Sequence, residues 1–164
     1  MARLFMALAG ALLLGGVPGI PAAGEWGGIT PGVSTRDTVR ERYGTPSQEV
    51  GGILEGHETI QWVYEGTRAP AGMKRMVVDF GLLTPQGYRP ELVRSFLLEP
   101  KPLVFARDIV LSGWGPPDRV GVQDGNKVFF YKSGLVIYFD KEGINAVSML
   151  FTIPQPAPPK TSGR

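Results

Sequence analysis

The single histidine of the chain, His57, stands in Glu55-Gly56-His57-Glu58, with a carboxylate on either side of the imidazole. Such a trio could ligate a divalent cation, or a carboxylate could orient the ring as a general base. The same four residues read as a tight turn, where polar side chains collect without a chemical task, and the solvated turn is the reading adopted. The chain has no cysteine and no serine in a G-x-S-x-G elbow, so a Ser-His-Asp arrangement would again depend on His57. Asp37, Asp79, Asp108 and Asp140 could in principle pair as the two carboxylates of a glycosidase, yet each has a local explanation at a cap, strand or turn. No glycine-rich loop opens a helix to hold phosphate, because Gly51-Gly52 and Gly113 to Gly115 come after helices. The expectation is a protein that is not an enzyme, with no cofactor, no metal ligand and no catalytic residue.

The elements that would position any functional group are organised by a repeat. Arg36-Asp37-Thr38-Val39-Arg40-Glu41-Arg42-Tyr43-Gly44-Thr45-Pro46 returns 71 residues later as Arg107-Asp108-Ile109-Val110-Leu111-Ser112-Gly113-Trp114-Gly115-Pro116-Pro117. Both copies spell R-D-x-V-x4-G-x-P, with an aromatic before the glycine. In the first, Ser34 or Thr35 offers a helix cap, Asp37 suits the helix dipole, and Gly44 with Pro46 ends the helix near Tyr43. Runs of β-type residues follow near Gln48 to Leu54, Glu58 to Glu65, Lys74 to Phe80 and Glu91 to Leu98, separated by Glu55-Gly56-His57, Gly66 to Gly72 and Thr84 to Pro90. In the second, a helix from about Leu103 to Ser112 is terminated by Gly113 to Pro117, and strands follow near Arg119 to Gln123, Lys127 to Lys132, Leu135 to Asp140 and Ile144 to Ile153. The hairpin pair Asp124-Gly125 separates the first two of these. The expected fold class is α+β, with two tandem helix-plus-four-stranded-antiparallel-meander repeats forming a two-layer sandwich whose one sheet face is covered by helices.

The ends set the frame. Met1-Ala2-Arg3, the apolar run Leu4 to Leu14 and the small residues up to Gly24 make a secretory signal over 1–24, with cleavage after Gly24 fitting best, and the run is too short to span a bilayer. The first repeat then covers 25–99, the second 100–153, and a proline-rich tail 154–164 is expected to be extended and disordered. Seventeen basic against fifteen acidic residues are too evenly scattered to make a nucleic-acid footprint, despite a pI near 9.0.

Ile29-Thr30-Pro31-Gly32, Gly44-Thr45-Pro46, Trp62-Val63-Tyr64 and, in the second copy, Gly115-Pro116-Pro117, Tyr131 and Phe139-Asp140-Lys141-Glu142-Gly143 together resemble the BamE/SmpA-like family of small bacterial envelope proteins. The family pattern runs from "PG" before a helix through "G-x-P" to "W-x-Y" and "F-D-x-x-G". The likeness covers roughly Ile29 to Ile153 as two copies; in the first, Asp79-Phe80-Gly81-Leu82 stands where "F-D-x-x-G" should be. The resemblance implies an exported module, periplasmic or extracellular, that binds a protein partner in the cell envelope. It implies at most peripheral membrane contact, because no cysteine is present to carry a lipid. A tandem arrangement also resembles in architecture the secreted β-lactamase inhibitor protein, which implies the alternative of a hydrolase inhibitor.

Aromatic strand residues are the candidate partner contacts. If Val128, Phe130, Leu135, Ile137 and Phe139 form the covered core, alternation leaves Phe129, Tyr131 and Tyr138 on the open face. An offset of 67 from Phe129 and Tyr131 adds Trp62 and Tyr64. Alternation within the first-copy strand alone groups Ile60, Trp62 and Tyr64 on one face, which would bury them instead.

Overall fold

The computed structural model describes residues 24–154, so the signal expected over 1–24, apart from Gly24, and the tail from 155 onward lie outside the described residues. The elements run α1 (Arg36–Tyr43), β1 (Gln48–Leu54), β2 (His57–Glu65), β3 (Met73–Thr84), β4 (Gly87–Pro100), α2 (Arg107–Trp114), β5 (Arg119–Gln123), β6 (Asn126–Tyr131), β7 (Leu135–Phe139) and β8 (Ala146–Thr152), with a short 3₁₀ turn at Gly66–Arg68. Among the described residues no helix is long and apolar enough to cross a membrane.

Local chemistry explains most boundaries. Thr35 caps α1 by accepting from the Thr38 N–H at 3.4 Å, while the Thr38 hydroxyl accepts from the Thr35 N–H at 3.5 Å, a reciprocal box that satisfies two otherwise orphaned donors. Gly44 ends the helix at φ 75°, a conformation that costs other residues strain, and its N–H bonds the Arg40 carbonyl at 2.8 Å. α2 lacks a capping side chain at Ala106. Its start is held instead by bridging to the entry of β8, with Arg107 N–H to Ile144 O at 2.8 Å and Ala146 N–H to Phe105 O at 2.9 Å. The β1–β2 and β5–β6 hairpins turn through Glu55-Gly56 and Asp124-Gly125, where both residues of each pair have positive φ, the two-residue turn whose twist matches paired strands.

Two expectations about elements need correcting. α2 begins four residues later than predicted and runs two residues past Ser112 to Trp114; within the terminating stretch it is Gly115 that caps it, at the motif position of Gly44 and with the same positive φ. The stretch Thr84 to Pro90, predicted as a loop, is mostly strand: β3 and β4 continue to a tight turn with Thr84 paired to Gly87. Pro90 is accommodated because the pairing is already irregular between Phe80 and Leu82, so the hydrogen bond it cannot donate is not missed.

The larger correction concerns the fold class. The strands do not form two tandem helix-plus-sheet repeats packed as a sandwich; they form one eight-stranded antiparallel sheet in the order β1-β2-β3-β4-β8-β7-β6-β5. β4 and β8 join its halves through Ser95↔Thr152, Phe96↔Phe151, Leu97↔Leu150 and Leu98↔Met149. Physically, a four-stranded unit would leave β4 and β8 as apolar edges with unpaired N–H and C=O groups, and pairing them satisfies both backbones. Two eight-residue helices cannot cover such a sheet. Val39 of α1 and Val110 of α2 sit in the core with Ile29, and Trp26, Val104 and Phe105 from the segments preceding the helices pack against it.

Two rungs carry the core across the sheet. One runs Trp62, Val78, Phe96, Phe151, Leu135, Tyr131, and the next Tyr64, Met76, Leu98, Met149, Ile137, Phe129. Phe96 and Phe151 stack at the central seam with centroids 4.4 Å apart, so the joint between the halves is itself a core contact.

Candidate interaction surface

The five aromatic residues predicted as partner contacts divide unequally. Trp62, Tyr64, Phe129 and Tyr131 are buried in the core beneath the helices, and only Tyr138 lies on the opposite face, partly exposed. The error is a register error. Ser133-Gly134 closes the β6–β7 hairpin so that Tyr131 faces Leu135 and Phe129 faces Ile137, which puts Phe129 and Tyr131 on the same face as Leu135, Ile137 and Phe139. A one-residue shift in register moves every side chain to the other face, and composition is blind to it.

Buried as they are, the aromatics do a matched pair of jobs. The Tyr64 hydroxyl donates to the Gly44 carbonyl and the Tyr131 hydroxyl to the Gly115 carbonyl, each at 3.0 Å, so each tyrosine reaches up from the sheet to hold the end of a helix. Burial pushes both phenols up to about 12, because the phenolate loses hydration there. Trp62 packs edge-on to Phe80 at 4.7 Å and Phe129 edge-on to Phe139 at 4.8 Å.

Beside Trp62 the match ends. Its indole N–H donates to Glu49 Oε2 at 2.6 Å, and the Arg40 guanidinium lies over its ring at 4.8 Å. Val120 faces Phe129 as Glu49 faces Trp62, and Leu111 holds the motif position of Arg40. The fold is therefore built around an apolar trio at one end and a charged one at the other. The charged trio lines a polar cleft of about 580 Å³ together with Thr35, Arg36, Asp37 and Glu91. Around α2 the contrast is reversed: an apolar cleft of about 310 Å³ lies between Trp26, Phe105, Ile109 and Trp114, and the Trp114 indole N–H is buried without an acceptor.

Catalytic geometry is not assembled at the positions weighed for it. His57 stacks on Tyr88 at 4.3 Å beside the β1–β2 turn, and Tyr88 in turn donates to the Glu58 carbonyl. Among the described residues no three His, Asp or Glu side chains converge as a metal site. Asp79 accepts from Gln61 at 2.8 Å and Ser95 at 3.0 Å, a satisfied cluster on the sheet. Asp140 accepts the N–H groups of Ile144 at 2.7 Å and Asn145 at 3.1 Å, which ties the β7–β8 loop and holds its carboxyl below the usual range, the Ile144 bond contributing most. Asp118 is lowered in the same manner by the Lys132 N–H.

The feature that residue-type reasoning missed is the sheet face opposite the helices. Val63, Val77, Leu97, Leu150, Val136 and Phe130 form one continuous apolar row across six strands. Charged and polar rungs flank its first half: Glu65, Arg75 and Glu99 are linked by ion pairs on one side, and Gln61, Asp79 and Ser95 by hydrogen bonds on the other. Both helices pack on the other face. The signal was present in the strands as valines and leucines alternating with the aromatics, but only the register aligns them.

No protein-family model and no curated protein matches the chain. Among solved structures, the crystal structure of a DUF4309 family protein (YjgB) from Bacillus subtilis is similar over 77% of this chain and 82% of that one, with 14% identity and a TM-score of 0.49. A likeness at that level assigns no activity.

Proposed function

We propose that this protein is an exported, non-catalytic interaction module of the cell envelope, BamE-like in kind, that engages a protein partner with the sheet face opposite its helices. The observation that carries the reading is the half-buried apolar stretch Leu97, Leu150, Val136 and Phe130, which the buried Val63 and Val77 continue toward β2 between polar rungs whose charges are already paired. An apolar centre with a satisfied polar rim is the composition of a protein interface, and Tyr138, paired with Val128 on the same face, adds an amphipathic contact of the type interfaces favour. Export is supported by the charged start, apolar run and small residues of the first 24 positions.

Photo-crosslinking in an envelope fraction tests the reading. A photoreactive side chain at Leu97 or Leu150 should capture one discrete protein, the same from both positions, while one at the exposed hairpin residue Leu83 should not. Capture should disappear when Val136 is changed to Glu. Equal labelling from all three positions, or none from the two central ones, would remove the sheet face from consideration. If the captured protein is a hydrolase, its inhibition by the purified module decides for the inhibitor alternative.

A further inference from the structure

The sheet is open, and its two edges are unlike in charge but alike in lacking protection. β1 exposes Val50, Leu54 and Ile53, the last at 77%, and β5 exposes Val120 and Val122, the latter at 75%. Neither strand holds a lysine or a proline, the devices by which isolated sheets usually blunt an edge. Each presents a row of backbone N–H and C=O groups on its outer side. Around β1, the β1–β2 hairpin from 48 to 65 carries four glutamates and no lysine or arginine. Glu65 is paired with Arg75 and Glu49 holds the Trp62 indole, which leaves Glu55 and Glu58 on this edge. Around β5, the segment from 119 to 132 carries three basic residues and one acidic. Lys132 is paired with Asp118, which leaves Arg119 and Lys127 against Asp124.

Direction and facing match as well. Seven successive antiparallel pairings separate β1 from β5, so the two edges run in opposite directions. A second copy placed alongside in the same orientation therefore brings its β5 antiparallel to β1, the more stable pairing. Glu49 faces Trp62 and Val120 faces Phe129 on the helix-bearing side, and alternation puts Ile53 and Val122 on that side too. The join would bring these apolar side chains together while the sheet continues unbroken.

We propose that the two edges are complementary docking strips for a second copy of this chain, β1 of one molecule pairing with β5 of the next. Such a contact is heterologous: it propagates to an open chain or closes to a ring, and it does not stop at a two-fold dimer. The proposal is independent of the sheet-face reading above, since it uses the edges alone.

Ile53→Lys and Val122→Glu test it, because both side chains are solvent-exposed and each substitution sets a charge against the like-charged edge it would meet without touching the core. Wild-type protein should sediment above monomer mass with increasing concentration and return toward monomer in high salt, where charge attraction between edges is screened. Each variant alone should be monomeric, with an unchanged circular dichroism spectrum. The two mixed in equal amounts should give a species of twice the monomer mass and no larger, since one intact β1 and one intact β5 remain. Monomeric wild type at every concentration would overturn the proposal. So would a Val122→Glu protein that still dimerises, which would indicate β1 pairing with itself.

Discussion

Replacing Trp62 by Phe takes the first step from the charged end of the core toward the apolar one, and its cost can be worked out from the contacts. The substitution removes the indole donor to Glu49, worth roughly 1.5–3 kcal/mol for a hydrogen bond to a charged group when buried. Glu49 is exposed, so it regains water and the loss falls to about 1 kcal/mol. Arg40 loses the larger ring beneath it, about 0.5 kcal/mol for an exposed cation–π pair. The space left by the second ring beside Phe80 costs on the order of 1 kcal/mol. Trp62→Phe should therefore destabilise by about 2–3 kcal/mol, and Glu49→Val by about 1 kcal/mol. The double variant reproduces the Phe129–Val120 pairing already present at the other end. It should cost less than the sum of the singles, with a coupling of about 1 kcal/mol. Urea denaturation followed by far-ultraviolet circular dichroism measures all three. A coupling below about 0.3 kcal/mol, the ordinary error of additivity, would show that the indole–carboxylate bond contributes nothing and that the two ends differ only in packing.

The tyrosine braces predict a response to alkali. Their folded values of about 12 lie above the ordinary 10, so the stability they contribute is complete below pH 10 and is lost as pH rises toward 12. The thermal midpoint should be flat to about pH 10 and then fall, and the Tyr64→Phe, Tyr131→Phe double variant should show a shallower alkaline fall. Gly134, at φ 97°, would place a Cβ 2.2 Å from the Thr152 carbonyl oxygen, and that atom belongs to backbone. Gly134→Ala should therefore destabilise by more than about 2 kcal/mol in the same denaturation assay, and near-neutral behaviour would show that the hairpin registering β6 on β7 can shift freely.

How much was legible in the residues follows the range of the interaction responsible. The cap at Thr35, the stop at Gly44 and the hairpins at Glu55-Gly56 and Asp124-Gly125 are each set by a few neighbouring residues, and each is found where those residues stand. β1 and β5 have the bounds read from their composition. The end of the second helix was legible only as the stretch Gly113 to Pro117, because Gly113 and Gly115 are equally able to end a helix and only the spacing from Arg107 distinguishes them. The candidate contacts failed at the next level. Phe129 and Tyr131 have the residue types of an interface, but a hairpin of fixed length turned them inward, and Val63, Val77 and Leu97, which have the residue types of a core, came to lie on the face without helices.

By itself, then, the chain determined its caps, its turns, most of its strands and the repeated helix motif, because these depend on steric and hydrogen-bonding preferences within a few residues. Tertiary structure alone decided that β4 pairs with β8, that a single sheet results, and that Trp62 meets Glu49 and Arg40. Those contacts join segments far apart in the chain, and their register follows from burying both rungs of the core at once, a condition no local stretch contains.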